Sequence, residues 1–216
     1  MSVPFYVSPE QLVKDRAEFA RKGIARGRAI VAMQYADGIL LLAENTSSTL
    51  HKIGEVYDRV AFAGVGRYNE FESLRVAGIR HADLKGYMYG RRDVTAKGLA
   101  NAFAQTLGNI FTHEVKPYEV ELLVAELGDE PDGDRLFRVL YDGTVGDEQG
   151  VAAIGGPADE LLEALRSDFD PTRDLGTARG VAEAAFEQVI DRSVDGWEPA
   201  VLERNDRRRA FRRLDR

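Results

Sequence analysis

The sequence predicts a layered domain of the α/β or α+β class, and three observations predict it. Apolar, β-rich runs come in groups that alternate with pairs of helical segments, the pattern of sheets covered by helices. Two of those runs, within RAIVAMQYADGILLLAEN at 28–45, are joined through Ala36-Asp37-Gly38, and Asp-Gly between apolar runs is a hairpin signal. The helical segments carry apolar stripes at helical spacing. The order reads helix, three or four strands, two helices, three strands, two helices, one strand. No long linker, internal repeat or low-complexity stretch divides the 216 residues, so one domain over 1–216 is expected.

The first helix is placed at 8–27. Ser8 is a suitable N-cap, Pro9 suits the first helical position and Gln11 completes a capping box. Leu12, Val13, Ala17, Ala20 and Ile24 form its apolar stripe, opposite Lys14, Asp15, Glu18, Arg21 and Lys22. After the 28–45 hairpin, Ala61-Phe62-Ala63-Gly64-Val65-Gly66 reads as a strand turning into a helix at 68–85. A helix at 94–113 follows, with Leu99, Ala102, Phe103, Leu107, Ile110 and Phe111 on its apolar face, and Lys116-Pro117 stops it. Strands Val120–Leu127 and Arg135–Tyr141 flank the turn cluster 128–133 as a hairpin. Val151–Ile154 is a short buried strand ended by Gly155-Gly156. Helices at 157–168 and 175–192 and a last strand, Trp197–Arg204, complete the order.

Composition narrows the functional classes. The net charge is −7, yet residues 204–216 hold seven Arg and two Asp, a balance of +5, so the rest of the chain carries −12. An acidic body opposes nucleic-acid binding, which needs a basic surface, and the Arg-rich 207–216 end reads as a solvated strand end and tail. No apolar run approaches the ~20 residues of a membrane span, and no basic segment followed by an apolar core marks a secretory signal. The chain has no cysteine, which excludes disulfides and thiolate metal sites. A cytoplasmic protein without membrane or nucleic-acid partners is expected.

Candidate chemistry is sparse. His51, His81 and His113 fit no metal-binding spacing, so no metal and no cofactor are expected. Gly64-Val65-Gly66 stands between strand and helix, but Asn69 occupies the third glycine position of a dinucleotide fingerprint. The remaining role is a tight turn whose helix-start N–H groups favour a carboxylate. No Gly-x-Ser-x-Gly elbow is present. In a self-activating N-terminal-nucleophile hydrolase, a Thr, Ser or Cys begins the first strand of a hairpin like 28–45, using its own amine as base. Here Gly27-Arg28-Ala29 holds that place, with a helix in front of it.

SPEQ at 8–11, ARKGIAR at 20–26, HKIGEVYDRVAFAGVGRYNEFESLR at 51–75, GYMYGRRDVTAKGLANAFAQTLGNIFT at 86–112, KPYEVELLVAE at 116–126 and RRRAFRR at 207–213 together resemble the proteasome α-subunit family, in its actinobacterial type. The resemblance runs from about Ser2 to Arg213. Gln11 and Phe19 depart from the broader α-subunit pattern, which has Gly and Tyr there, so gate geometry from archaeal or eukaryotic rings is not carried over. The resemblance implies an α+β fold, the four-layer αββα sandwich of N-terminal-nucleophile hydrolases, in a non-catalytic member. It implies a homo-heptameric α-ring that templates proteasome β-subunits, which carry the threonine nucleophiles, and that docks an AAA-class ring ATPase. It also implies degradation of proteins tagged with a small ubiquitin-like modifier. Glu44 and Lys52 resemble catalytic-site partners of active β-type relatives, left here with nothing to activate; Glu44 reads as a structural strand-end carboxylate. By the same resemblance, Lys52 lines a pocket between α-subunits and pairs with the C-terminal carboxylate of the ATPase, with Gly66 the matching position on the turn. Ser2, Val3, Pro4, Phe5, Tyr6 and Val7 match the segment that gates the pore. The alternative from the residues alone is a self-contained N-terminal-nucleophile hydrolase.

Overall fold

The computed structural model describes residues 8–205 and 208–215; the gate candidates Ser2–Val7 lie outside them. Helix α1 spans Pro9–Ala25. Its Ser8 cap forms as the sequence predicts, the hydroxyl oxygen accepting the Gln11 N–H at 3.2 Å, while the Gln11 side-chain amide donates to Asp15 Oδ1 at 2.6 Å. Strands β1 (Ile30–Tyr35) and β2 (Gly38–Glu44) form the Asp-Gly hairpin. Strands β3 (Ile53–Tyr57) and β4 (Val60–Gly66) form a second one. Helices α2 (Tyr68–Met88) and α3 (Ala96–His113) follow. Next come β5 (Val120–Glu126), β6 (Arg135–Val139), β7 (Val145–Glu148) and β8 (Val151–Ile154). Helices α4 (Ala158–Ser167) and α5 (Leu175–Ile190) precede β9 (Trp197–Glu203) and β10 (Phe211–Arg213).

The strands make two five-stranded antiparallel sheets, ordered β10-β9-β2-β1-β8 and β3-β4-β5-β6-β7. Their central strands are apolar at consecutive positions, so both faces of each sheet need cover. Alternation divides each strand between two cores. Ile39, Leu41 and Ala43 of β2 meet Ala61, Ala63 and Val65 of β4 in the alanine-rich core between the sheets. Val60 and Phe62 of β4 point outward to Phe71, Leu74, Leu99 and Phe103 of α2 and α3. Leu40 and Leu42 of β2 point outward to Leu161, Leu165, Ala182 and Phe186 of α4 and α5. Helix pair, sheet, sheet and helix pair give the four-layer αββα sandwich.

Two expectations need correction, at β7 and at the Arg-rich end. The α1 stripe divides: Ala20 and Ile24 enter the central core, whereas Leu12, Val13 and the neighbouring Phe19 are 48%, 53% and 45% exposed. The helix packs against β4 and β5, with Gly23 lying against the Glu119 side chain. Strand β7 was absent from the sequence reading because Val145–Glu148 is polar and largely uncovered. The described part of the Arg-rich end is largely solvent-exposed, as expected, but it is a paired strand rather than a free tail. Phe211–Arg213 pair with β9, and the arginines find acidic partners: Arg204 Nη2 to Asp134 at 2.6 Å, Arg212 Nη2 to Glu203 at 2.8 Å, Arg213 Nη1 to Glu198 at 3.0 Å, and Arg209 to Glu55.

The layering makes opposite predictions for two substitutions. Phe62 is fully buried and meets Phe103 edge-on at 5.6 Å. Phe62→Ala should cost ~3–5 kcal/mol in urea unfolding of the isolated chain, whereas Leu12→Ala should change it by less than about 0.5 kcal/mol.

Candidate functional site

The residues that the sequence singles out converge on one rim of the sandwich, where α1 hands over to β1. The α1 helix closes with the Gly27 N–H donating to the Ile24 carbonyl at 2.8 Å. Gly27 then passes close to the end of β4: a Cβ on it would lie 3.3 Å from the Gly66 nitrogen. Gly66 itself has φ +109°, and a Cβ there would strike the Glu119 carbonyl, so glycine is required. The chain turns at once into α2, with the Arg67 N–H donating to Glu119 O at 3.1 Å and Arg67 O accepting from the Glu70 and Phe71 N–H groups.

Arg28 fills the place where an N-terminal nucleophile would stand. Its Nη1 lies 3.1 Å from Glu44 Oε1, and Arg192 Nη2 reaches the same oxygen at 2.7 Å. Glu44 is 1% exposed at the end of β2. Two guanidiniums therefore neutralise a buried carboxylate that would be costly alone. That matches a structural role for Glu44, with Arg192 a partner that the sequence did not suggest.

Lys52 stands just before β3, and its carbonyl accepts the Gly64 N–H at 3.1 Å. That pairing puts Lys52 and Gly66 at the same end of one hairpin. The Lys52 ammonium donates to the Arg28 carbonyl at 2.9 Å. Burial pulls its pKa from 10.5 down to about 8; Arg28 adds to the pull, while Glu44 and Glu198 oppose it. An ammonium has three donors, and the Arg28 carbonyl takes one.

The Lys52 main chain is held by a residue the sequence reading missed. Glu198 on β9 of the opposite sheet is buried and accepts the Lys52 N–H at 2.9 Å and the Ile53 N–H at 3.2 Å. Burial pushes its pKa up, yet these donors, with Asn45 and Arg213, outweigh burial and hold it below the usual carboxylate range. A lone acidic residue in the apolar run WEPAVL at 197–202 was the available signal.

The histidines stay apart. His51 joins Glu198 and Arg213, with Nδ1 3.3 Å from Glu198 Oε1 and 3.2 Å from Arg213 Nη1. His81 is exposed on α2 and His113 on the last turn of α3. Among the described residues, no group of three or more His, Asp or Glu side chains is arranged to hold a metal ion, and no helix is long and apolar enough to cross a membrane. A cavity of about 480 Å³ opens beside the C-terminal end of α1, walled by Arg21, Glu121, Arg138 and Tyr141, and no Ser or Thr lines it.

Fold and rim together define a four-layer sandwich of the N-terminal-nucleophile class with a paired arginine where the nucleophile would be. The family model described as proteasome subunit matches residues 24–202. The chain is 58% identical to the proteasome subunit alpha of Acidothermus cellulolyticus, covering 99% of this chain and 94% of that one. It is 57% identical to that of Kineococcus radiotolerans, with the same coverage. The subunit of Thermobifida fusca is 55% identical over 99% of this chain and 88% of its own. The chain belongs to the proteasome subunit family.

The Lys52 environment carries a testable sign. The folded chain holds this proton less tightly than the unfolded chain, so charging Lys52 opposes folding below about pH 8. That opposition fades as pH rises from about 8 toward 10.5. In NMR of the ¹³C-methylated lysines, one resonance should titrate near pH 8 and be missing from Lys52→Met. In the same variant, stability should rise less with pH between 8 and 10.5 than in the parent chain.

Proposed function

We propose that this chain is the non-catalytic α-ring subunit of a bacterial proteasome core particle, a single domain working in the cytoplasm. Seven copies form a ring, template the β-subunits, restrict entry to the chamber and dock an AAA-class ring ATPase. The observation that carries the non-catalytic reading is Arg28: its side chain has no usable nucleophile and is engaged with Glu44. The α-subunit names and the near-complete coverage of the relatives support the assignment to the outer ring. The exposed Leu12, Val13 and Phe19 on α1 are suited to burial between ring neighbours, because an apolar strip left in water is unfavourable. Ser2–Val7, also rich in apolar residues, would close the axial pore by meeting their copies. Peptide bonds would be cut by threonine nucleophiles on the β-subunits, in the service of a ubiquitin-like tagging pathway. The self-contained hydrolase reading lacks a residue to act: removing α1 would expose Arg28, not a Thr, Ser or Cys.

Lys52 and Gly66 are the proposed docking residues for the C-terminal carboxylate of the ATPase. The two ammonium donors without a partner among the described residues suit a carboxylate that has shed water at the rim. A charge-assisted hydrogen bond there contributes ~1.5–3 kcal/mol, about one to two factors of ten in affinity per site, multiplied around the ring by avidity. The proton count gives the pH dependence. A carboxylate favours the charged amine, so docking should hold below pH 8 and weaken as pH rises through it. Glu44, Arg28 and Glu198 are the charged groups that face the amine.

Two measurements test this function. Lys52→Ala should still assemble into particles but lose ATPase binding and ATP-dependent degradation of a folded tagged substrate. Tail affinity unchanged from wild type would make Lys52 an ordinary rim lysine. Deleting residues 2–7 leaves the Ser8 cap in place. It should speed degradation of long unstructured substrates more than hydrolysis of small peptides; no gain for long substrates would remove the gate assignment.

A further inference from the structure

The Glu198 carboxylate collects more donors than any ordinary ion pair. Oε2 accepts the Lys52 N–H at 2.9 Å and Asn45 Nδ2 at 2.7 Å. Oε1 accepts the Ile53 N–H at 3.2 Å and Arg213 Nη1 at 3.0 Å, with His51 Nδ1 at 3.3 Å. Arg213 closes the loop, its Nη2 donating to the Ile53 carbonyl at 2.7 Å. Asn45 also donates to the Leu50 carbonyl at 2.8 Å, which ties the segment leading into β3 to the same carboxylate. Strand β3 is an edge strand, bonded on one side to β4. Away from β4, the Lys52 N–H and both main-chain groups of Ile53 are held, among the described residues, not by another strand but by one acid from the opposite sheet and one arginine from the C-terminal arm.

We propose that Glu198 and Arg213 are positioning residues for the Lys52 amine, which makes the C-terminal arm a working part of the docking site. The inference rests on the docking reading of Lys52. Neither residue needs to touch the incoming carboxylate. They fix the main chain from which a flexible four-carbon side chain must deliver one charge to one place, and a lysine held at its base loses less freedom on binding. Glutamine at 198 could not substitute. Either orientation of its amide would turn an NH₂ donor toward two or more existing donors.

The test uses assembled particles and, as probe, the C-terminal decapeptide of the ring ATPase that co-purifies with them, with a free carboxylate and as its C-terminal amide. Arg213→Ala should weaken the free-carboxylate peptide roughly tenfold, the size of a typical coupling between groups in contact, and leave the amide nearly unchanged. The double variant Lys52→Ala/Arg213→Ala should bind no worse than Lys52→Ala alone, because Arg213 acts through Lys52. Arg213→Lys should fall between, and Glu198→Gln should behave as Arg213→Ala. If Glu198→Gln does not assemble, the two Arg213 variants decide the matter. Wild-type affinity in Arg213→Ala, or losses that add in the double variant, overturns the positioning role. The docking reading fails differently: wild type would not distinguish carboxylate from amide, and Lys52→Ala would be silent.

Discussion

Water has to be kept off both faces of both sheets, and the architecture answers that constraint. Strands β2, β4 and β5 are buried at nearly every position, so neither sheet can face solvent. Small side chains, many of them alanines, let the sheets meet in the middle. Larger ones, Phe62, Phe103, Phe137, Leu165 and Phe186, fill the outer layers under the helices. A sandwich covered on both flat sides leaves only its rim for polar work. The helix ends, the strand ends and the C-terminal arm all gather there.

At the rim, polar groups are buried in pairs and networks rather than singly. Glu44 is shared by Arg28 and Arg192. Glu121 takes the Gly155 N–H at 2.9 Å together with Arg138, and Glu70 takes Lys116 and the Glu119 N–H, both at 2.7 Å. Each carboxylate joins parts of the chain that are distant in sequence, as expected when a buried charge must find donors. Lys52 differs in kind. Among the described residues its amine makes a single hydrogen bond, to a carbonyl, with both carboxylates of the neighbourhood already engaged. That unspent capacity, beside a glycine turn, is what the docking reading draws on.

The sequence made the layers legible because burial leaves a period. The Asp-Gly hairpin, the Ser8 cap, the glycine turn at 64–66 and the α3 stripe all appear in the structure, and the αββα arrangement followed from resemblance. What stayed hidden has physical reasons. Strand β7 is polar, so it shows no alternation. The α1 stripe enters the core at Ala20 and Ile24 and stays exposed at Leu12 and Val13, because periodicity marks an apolar face without saying what covers it. The Arg-rich arm read as a tail because its acidic partners, Glu55, Glu198 and Glu203, lie on strands whose pairing with it is a tertiary fact. Glu198 was missed for the same reason: a carboxylate's role depends on which donors the fold brings to it. At the rim, sequence pointed to Arg28, Glu44, Lys52 and Gly66, and the structure brings them together; it adds Arg192, Glu198 and Arg213.

The account stands or falls on whether this chain keeps its N-terminal helix and leaves catalysis to a partner. Intact and native mass spectrometry of the chain co-expressed with candidate β-subunits, read alongside peptidase assays of the separated components, measures both at once. The account predicts a multi-ring particle in which this chain retains α1 and Arg28, with hydrolysis that vanishes when the β nucleophile is substituted. Cleavage of this chain ahead of a Ser or Thr, with peptide hydrolysis in the absence of any β-subunit, would contradict it.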